Sequence, residues 1–368
     1  MEVKKHYEVI ILGAGVAGLS AALFLKRHGV NSVLVIDRYN SKNHKACSGI
    51  LTEKSLKLLK EIDITPKDYK KMAGFKAYYN DMFVNIYSKS VYGYQHVGLN
   101  RISLDEQMHE QCKKEKIDIR ENVSIWDLDV SSHRFNTFSF DYLIDATGFT
   151  PIANNIKKKV IGIEAKVVDK NINEKDIIPN IYLSNDIKGY AWIVKSENCQ
   201  TVGLTTFYKK SINVLKVLKK FAKDHNVVLL ENSMDIRAAF IPVKPLKLVK
   251  GRVAYIGERA GLTDPLTQEG IFYALYSAKK VSEAIEAKKL SLYKKEMKPV
   301  VKSLSRAYTY RSTFFKKTFQ NKIWNIASKH QFTTYIFSKY STCDFFDYTK
   351  IGKYHKEYKK NKKTALDK

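Results

Sequence analysis

The sequence predicts an α/β fold in which a parallel sheet is interleaved with an antiparallel sheet and a helical segment follows. Three observations predict it. An apolar strand over residues 9–12 runs into a glycine-rich turn, and a helix then follows over about residues 15–28. Residues 160–243 contain several segments rich in β-branched and aromatic residues, interrupted by a helix at about 212–225. After Leu275 the pattern turns helical. The 368 residues, 44% of them hydrophobic, suffice for two interleaved domains and a tail.

The first strand and helix carry a dinucleotide-binding motif. Gly13 permits the tight turn, Gly15 lets the backbone approach a pyrophosphate, and Gly18 lets the helix pack on the strand. The helix N-terminus then faces the phosphates. Asp37 ends the second strand, where its carboxylate can accept a hydrogen bond from a ribose hydroxyl. The segment therefore predicts a Rossmann-type unit for a cofactor with an unphosphorylated ribose, such as FAD or NAD.

A second glycine signal, far downstream, favours a flavin. A strand over residues 253–256 delivers Gly257 and Glu258 to a loop, and after Pro265 a helix is predicted to begin at about residues 267–270. The free N–H groups of a helix start can stabilise negative charge on a reduced isoalloxazine ring. An acid after the glycine can bind ribitol or ribose hydroxyls.

A third segment of the same kind lies between these two. Residues 142–148 read Tyr-Leu-Ile-Asp-Ala-Thr-Gly, a strand that ends in a turn of small residues. Three strand-to-turn segments from distant parts of the chain are therefore expected to converge on one ligand.

The order of these motifs over residues 7–275 resembles that of the flavoprotein hydroxylase and geranylgeranyl reductase superfamily, which is p-hydroxybenzoate hydroxylase-like. In that superfamily an arginine that opens a helix also holds FAD, and Arg101 matches it. Ala46-Cys47-Ser48-Gly49, Gly189-Tyr190-Ala191-Trp192 and Asp264 to Gly270 resemble the geranylgeranyl reductase branch most. The resemblance implies a Rossmann-type FAD-binding domain interleaved with an antiparallel-sheet substrate domain, plus a C-terminal helical segment.

The resemblance also implies that FAD is the cofactor and indicates which residues bind it. They are Gly13, Gly15, Ala17, Gly18, Asp37, Arg38, Ala46, Cys47, Gly49, Arg101, Val123, Gly148, Gly257, Glu258, Pro265, Gly270 and Ile271. This chain departs from the family at two places. Glu258 replaces an aspartate, which keeps the carboxylate on an arm one methylene longer, so we expect FAD binding to be retained. Val194-Lys195 replaces the Phe-Pro that ends the reductase signature.

The implied reaction is the saturation of isolated C=C bonds in a polyprenyl (geranylgeranyl) lipid or diphosphate. Reduced FAD gives a hydride to one carbon and the other carbon is protonated. Such a bond is a poor hydride acceptor, so the site needs a proton source and groups that stabilise positive charge. Cys47 is predicted to give the proton, since an ordinary thiol is mostly protonated at neutral pH. Tyr190 and Trp192 are predicted to shape the pocket and to stabilise positive charge through their π faces.

Plainer roles for these three residues stay open. Cys47 is then a small buried residue that only contacts the cofactor, and Tyr190 and Trp192 are ordinary residues of the sheet. Two other functions also stay open. One is a flavin-dependent aromatic monooxygenase or halogenase of the same fold, in which the flavin reacts with oxygen. The other is a flavin-binding or membrane-attached protein that has lost catalysis, as the departures at Glu258 and Val194 would indicate.

Only one Rossmann fingerprint is visible in the chain, so reduction is expected to come from a transient donor. NAD(P)H or a ferredoxin-like carrier could serve. The charge favours anionic partners, because 64 Lys and Arg stand against 37 Asp and Glu, a formal net charge of +27. Residues 350–368 carry eight lysines and two acids, a tail suited to an anionic membrane surface or simply to solvent. Nucleic acid is not expected, because no binding motif accompanies the charge.

The remaining signals exclude several classes. The four cysteines and nine histidines show no metal-ligand spacing, so no metal site is expected, and the cysteines fit a reducing, cytoplasmic setting. No run reaches the ~20 apolar residues of a membrane span, so a protein that is cytoplasmic or peripheral to the membrane is expected. The aromatic residues between 308 and 348 either roof an apolar tunnel or pack the tail onto the body.

The predicted domains follow from these segments. They are an FAD-binding domain over residues 1–72, 96–150 and 250–285, a substrate-binding sheet domain over 73–95 and 151–249, and a C-terminal helical segment with its Lys-rich tail over 286–368.

Overall fold

A computed structural model gives the architecture of the chain. It describes residues 5–40, 47–67, 69–80, 82–94, 100–123, 128–129, 134–135, 138–149, 159–168, 179–184, 187, 189–196, 199–207, 212–229, 235–327 and 332–366.

The strands, in chain order, are β1 (Lys5–Leu12), β2 (Val33–Ile36), β3 (Leu51–Thr52), β4 (Tyr69–Tyr79), β5 (Met82–Tyr94), β6 (Asp118–Arg120), β7 (Leu128–Asp129), β8 (Arg134–Phe135), β9 (Phe138–Asp145), β10 (Lys159–Val168), β11 (Asn180–Ser184), β12 (Gly189–Ser196), β13 (Cys199–Phe207), β14 (Asp235–Pro242), β15 (Val249–Lys250) and β16 (Val253–Tyr255). The α-helices are α1 (Val16–Arg27), α2 (Glu53–Glu61), α3 (Asn100–Lys114), α4 (Val214–Asp224), α5 (Ile271–Glu286), α6 (Leu290–Phe314), α7 (Lys317–Ala327), α8 (Phe332–Thr342) and α9 (Ile351–Leu366). Short 3₁₀ helices span Gly257–Ala260 and Tyr348–Lys350. Over the described residues, no helix combines the length and the apolar character needed to cross a membrane.

The first sheet has the strand order β15-β16-β9-β1-β2-β6 and is parallel from β16 to β6, whereas β15 pairs antiparallel with β16. Strand β1 pairs in parallel with β2 and β9, and β9 pairs in parallel with β16. Every residue of β2 is buried, which explains why this strand reads as a continuous apolar run without alternation. Helix α1, predicted over 15–28, runs from Val16 to Arg27 and packs against α5.

The second sheet has the order β14-β10-β13-β12-β11-β4-β5-β3 and is antiparallel except where β4 meets β11. Its strands alternate between two environments. Ala191 and Ile193 of β12 pack into a core with Leu218 of α4, whereas Tyr190 and Trp192 face the opposite side. The strands predicted between 160 and 207 and the helix predicted at 212–225 are confirmed.

The C-terminal helices pack on both sheets, since α6 contacts the parallel sheet whereas α7 and α8 contact β4 and β5 of the antiparallel sheet. The hydroxyl of Tyr293 in α6 donates a hydrogen bond to the carbonyl of Tyr255 at 2.9 Å. Ser303, also in α6, donates to the carbonyl of Phe346 at 2.9 Å. The predicted α/β fold class, with both kinds of sheet and a C-terminal helical segment, is confirmed, and the domain boundaries stay a prediction.

Candidate active site

One large cavity of about 1260 Å³ lies between the two sheets. It exceeds the roughly 300–1,000 Å³ of ordinary small-molecule pockets, so it has room for a dinucleotide and a second ligand. One side is formed by the ends of the parallel strands and their turns, and the other by the inner face of the antiparallel sheet. The C-terminal helices close it with Phe314, Trp324, Thr333, Phe337 and Tyr340.

The glycine turn after β1 has the predicted steric form. Gly13 has a φ of +101°, and a Cβ placed on it would lie 2.6 Å from the carbonyl oxygen of Ala146. A Cβ on Gly18 would lie 1.8 Å from the carbonyl oxygen of Gly13, so helix and strand could not approach so closely with any other residue. A Cβ on Gly15 would meet no atom within 4 Å, because this position opens into the cavity at the start of α1. The turn therefore fits a pyrophosphate at the helix N-terminus.

Asp37 lies at the cavity wall beside this turn. Its Oδ2 accepts a hydrogen bond from the amide of Ala14 at 2.6 Å, and its Oδ1 accepts from the amide of Tyr39 at 2.8 Å. The carboxylate is thus fixed next to the glycine turn, at the place where a ribose hydroxyl is expected. Arg38 lines the same wall, and its guanidinium lies over the ring of Tyr39.

The three distant segments do converge. A Cβ on Gly148 would lie 3.9 Å from Oε2 of Glu258, and a Cβ on Gly270 would lie 3.7 Å from Oε1 of the same carboxylate. All three residues line the cavity. Glu258 therefore reaches the space between the Ala-Thr-Gly turn and the start of α5, despite its longer arm.

Tyr190 and Trp192 lie side by side on the floor of the cavity, with ring centroids 6.0 Å apart. The Tyr190 hydroxyl donates to the carbonyl of Thr267 at 2.6 Å, and burial raises the pKa of Tyr190. The Trp192 ring lies against Gly203, whose added Cβ would be 2.2 Å from Cζ2. Its buried Nε1 has no hydrogen-bond partner within the described part of the chain. Val194, where the chain departs from the reductase signature, packs here with Trp192 and Phe337.

The structure places the other predicted residues as follows. Those that line the cavity are Gly13, Gly15, Ala17, Asp37, Arg38, Cys47, Gly148, Glu258, Gly270 and Ile271. The cavity wall does not include Gly18, Gly49, Val123, Gly257 and Pro265. Val123 packs on the parallel sheet, and its amide donates to the carbonyl of Asp37 at 3.0 Å. Ala46 lies outside the described residues, and Arg101 lies in the first turn of α3, with its side chain outside the description.

The loop before α5 is held by residues that the motifs did not indicate. Asp264 is fully buried, and its Oδ1 accepts from the amides of Leu266 and Thr267 at 2.8 and 2.9 Å. Its Oδ2 accepts from the hydroxyl of Tyr348 at 2.8 Å. Burial raises the pKa of the Asp264 carboxyl, and these three hydrogen bonds oppose that rise. The loop therefore depends on a tyrosine from the C-terminal segment.

Arg311 of α6 supports the same loop from a fully buried position. Its Nη1 donates to the carbonyl of Pro265, and the guanidinium lies over the rings of Phe207 and Phe315 at 4.6 and 4.7 Å. Burial lowers the pKa of Arg311 to about 10. Sequence spacing gives no signal for this contact, because Arg311 and Pro265 are separated by a complete helix.

The aromatic C-terminal segment turns out to serve both predicted purposes. Phe337 and Tyr340 line the cavity, and Tyr340 also packs with Phe346, Tyr348 and Tyr354 in a core cluster. The segment therefore both encloses the cavity and contributes to a core cluster.

Comparison with known proteins identifies the cofactor. Residues 6–119 match the family model described as an FAD binding domain. The chain is an FAD-dependent oxidoreductase. Its predicted cofactor, FAD, is therefore confirmed, and the glycine turn, Asp37 and the space beside Glu258 fit that cofactor.

The oxidoreductase is 25% identical over 340 residues to an uncharacterized protein of Methanosarcina barkeri, a match that covers 84% of each chain. It is 25% identical over 316 residues to the geranylgeranyl diphosphate reductase of Synechocystis, covering 76% of this chain and 75% of that one. A geranylgeranyl bacteriochlorophyll reductase-like protein of Thermoplasma acidophilum shares the fold, with a TM-score of 0.73 and 16% identity over 89% of this chain and 92% of that one. A halogenase and a flavin-dependent brominase also share the fold. The predicted resemblance to this superfamily is confirmed.

Proposed function

We propose that this oxidoreductase saturates isolated C=C bonds of a polyprenyl, most simply geranylgeranyl, lipid or diphosphate. The observation that carries the proposal is that one cavity joins the FAD-binding segments to a compartment whose wall is largely apolar. Away from the glycine turn, its wall contains Phe75, Ile86, Ile181, Leu183 and Phe337. Burying an apolar chain there is favourable by about 0.8 kcal/mol per CH₂ group.

Within this proposal each residue of the site has a separate task. Bound FAD, once reduced, supplies the hydride that one alkene carbon receives. Cys47 gives its thiol proton to the other carbon and is reprotonated from water, so two hydrogens are added in all. Tyr190 and Trp192 present their π faces to the positive charge that builds up on the alkene. The apolar wall excludes water, which strengthens these electrostatic contacts.

The C-terminal segment is proposed to bring the enzyme to its substrate. Residues 286–368 contain 21 Lys and Arg against six Asp and Glu, which accounts for more than half of the net charge of the chain. The same segment lines the apolar compartment with Phe314, Trp324 and Phe337. We propose that it rests on an anionic membrane surface, from which a prenyl chain enters the cavity. Electrons are proposed to come from a transient donor, NAD(P)H or a ferredoxin-like carrier, because the only Rossmann fingerprint in the sequence holds FAD.

The deciding experiment uses the purified FAD-loaded protein. It is reduced with dithionite under anaerobic conditions, and geranylgeranyl diphosphate or a prenylated glycerophospholipid is added. Reoxidation of the flavin together with lipid that has gained two hydrogens per reduced bond is the expected result. A flavin that ignores the lipid, but reacts with oxygen to give hydroxylated or halogenated aromatic products, would assign the oxygenase or halogenase reaction instead. A bound flavin that no donor reduces and no substrate reoxidises would indicate a flavin-binding protein without catalytic activity.

A further inference from the structure

A buried lysine lies at the edge of the cofactor cavity. Lys54 is in the first turn of α2, and its side chain is only 2% exposed. Its Nζ lies 2.9 Å from Oε2 of Glu269 and over the rings of Tyr340 and Phe272, at 4.0 and 4.2 Å from their centroids. A buried ammonium is costly unless it is paired, so the contact with Glu269 is what keeps this charge in place.

The partner carboxylate is itself held on both oxygens. Oε1 of Glu269 accepts from the hydroxyl of Thr52 at 2.8 Å, and Oε2 accepts from the hydroxyl of Tyr340 at 2.7 Å. Glu269 and Tyr340 both line the cavity. Glu269 is therefore in contact with the cofactor space, and Lys54 is its buried cationic partner outside the cavity wall.

The position of Glu269 gives this pair its significance. Glu269 directly precedes Gly270, the N-cap of α5, where the exposed amides and the helix dipole favour negative charge. Two-electron reduction of FAD with uptake of one proton leaves a net negative charge on the flavin. A carboxylate fixed at the same helix start opposes this reduction, unless a nearby cation balances it. Lys54 is the cation that contacts it.

We propose that Lys54 tunes the midpoint potential of the bound FAD by balancing the charge of Glu269 at the start of α5. Lys54 acts on the flavin through Glu269 and does not touch the cofactor itself, since its side chain is absent from the cavity wall. It depends on FAD binding and is independent of which substrate the enzyme reduces.

The test is a redox titration of the FAD-loaded protein against dyes, without substrate, in a cycle of three variants. Lys54→Met keeps the linear apolar stem and should lower the midpoint potential, because it leaves Glu269 unbalanced. Glu269→Gln should raise the potential, because it leaves the ammonium unbalanced. The double variant should return close to the wild-type potential. Lys57→Met is the matched control, since Lys57 is an exposed lysine of the same helix and should leave the potential unchanged.

Shifts of the midpoint potential in opposite directions for the two single variants are a result that a change in packing alone cannot produce. Shifts of the same sign, or unchanged potentials with a lower melting temperature, would overturn the proposal and leave the pair a structural contact. If Lys54→Met does not retain FAD, Glu269→Gln and Tyr340→Phe decide. Tyr340→Phe removes a donor from Glu269 and should lower the potential, so a fall with Glu269→Gln or a rise with Tyr340→Phe contradicts the proposal. Failure of the lipid assay would leave these results unaffected.

Discussion

Replacing Tyr348 with phenylalanine should destabilise the protein by an amount that depends on pH. The substitution removes the hydroxyl that donates to Oδ2 of Asp264 at 2.8 Å, and both side chains are buried. A hydrogen bond to a charged group contributes about 1.5–3 kcal/mol, and one between neutral groups about 0.5–1.5 kcal/mol. We therefore expect a loss of about 1.5–3 kcal/mol at a pH above the folded pKa of Asp264, where the carboxyl is ionised, and a loss of about 0.5–1.5 kcal/mol below it, where the carboxyl is protonated.

The direction of the pH dependence follows from the pKa of Asp264. Burial raises this pKa above the unfolded value of 3.8, so the folded protein holds the proton more tightly. The stability that this provides is fully present below pH 3.8 and is lost as the pH rises through the folded pKa. The tyrosine hydroxyl opposes the rise, so Tyr348→Phe should raise the folded pKa further and make the loss of stability with increasing pH larger.

Urea denaturation of the FAD-loaded protein at pH 7 and at about pH 4, the unfolded pKa of an aspartate, measures this effect. Tyr354→Phe is the control, because its hydroxyl accepts a weaker 3.3 Å contact from the amide of Asp347 and touches no buried carboxylate. Equal losses for Tyr348→Phe at the two pH values would refute the reasoning, since they would mean that the protonation state of Asp264 does not change. A loss no greater than that of Tyr354→Phe would do so as well.

Three further outcomes are expected. Gly18→Ala should weaken FAD binding by about tenfold or more, measured by flavin fluorescence, because its Cβ would meet the Gly13 carbonyl at 1.8 Å. Gly352→Ala, which meets nothing, should bind FAD normally. Cys47→Ala should slow lipid reduction by roughly a hundredfold at unchanged FAD content. Cys112→Ala should leave the rate unchanged, because Cys112 is buried in α3 away from the cavity. Equal rates for the two variants would show that Cys47 does not take part in the reaction. Replacing four exposed lysines of α9 by glutamine should weaken binding to phosphatidylserine vesicles by roughly a hundredfold or more, at about 1 kcal/mol per lysine. Binding to uncharged phosphatidylcholine vesicles should be the same for wild type and variant, which would show that the loss is electrostatic. These lysines are Lys353, Lys356, Lys359 and Lys360.

The parts of the site that the sequence predicted are those set by local sterics. The glycine turn could be predicted because a Cβ on Gly13 or Gly18 would clash with a backbone carbonyl oxygen. The strands of the second sheet could be read because buried and cavity-facing residues alternate along β12. The start of α5, predicted at about residues 267–270, agrees with the structure, in which Gly270 is the N-cap and Ile271 the first helical residue. The turn before it depends on Asp264, whose carboxylate accepts from the amides of Leu266 and Thr267.

The supporting contacts of the site could not be predicted in the same way. Lys54 meets Glu269 across 215 positions of the chain, and Tyr348 meets Asp264 across 84. Neither pair leaves a periodicity or a spacing in the sequence, because each depends on how α2 and the C-terminal segment pack against the loop before α5. The role of Arg311 was missed for the same reason, since a lone arginine in an amphipathic helix is usually exposed.

The two halves of the cavity are encoded at different distances along the chain. The segments that form the FAD site end at Ile271, whereas the apolar compartment is closed by residues up to Tyr340. During synthesis at roughly 5–20 residues per second, the second boundary leaves the ribosome about 3–14 s after the first. Arg311 and Tyr348, which hold the loop before α5, are also made after Ile271. The cofactor site therefore takes its final form only when the C-terminal segment has been synthesised, so folding of the two halves of the cavity is coupled to the same late step.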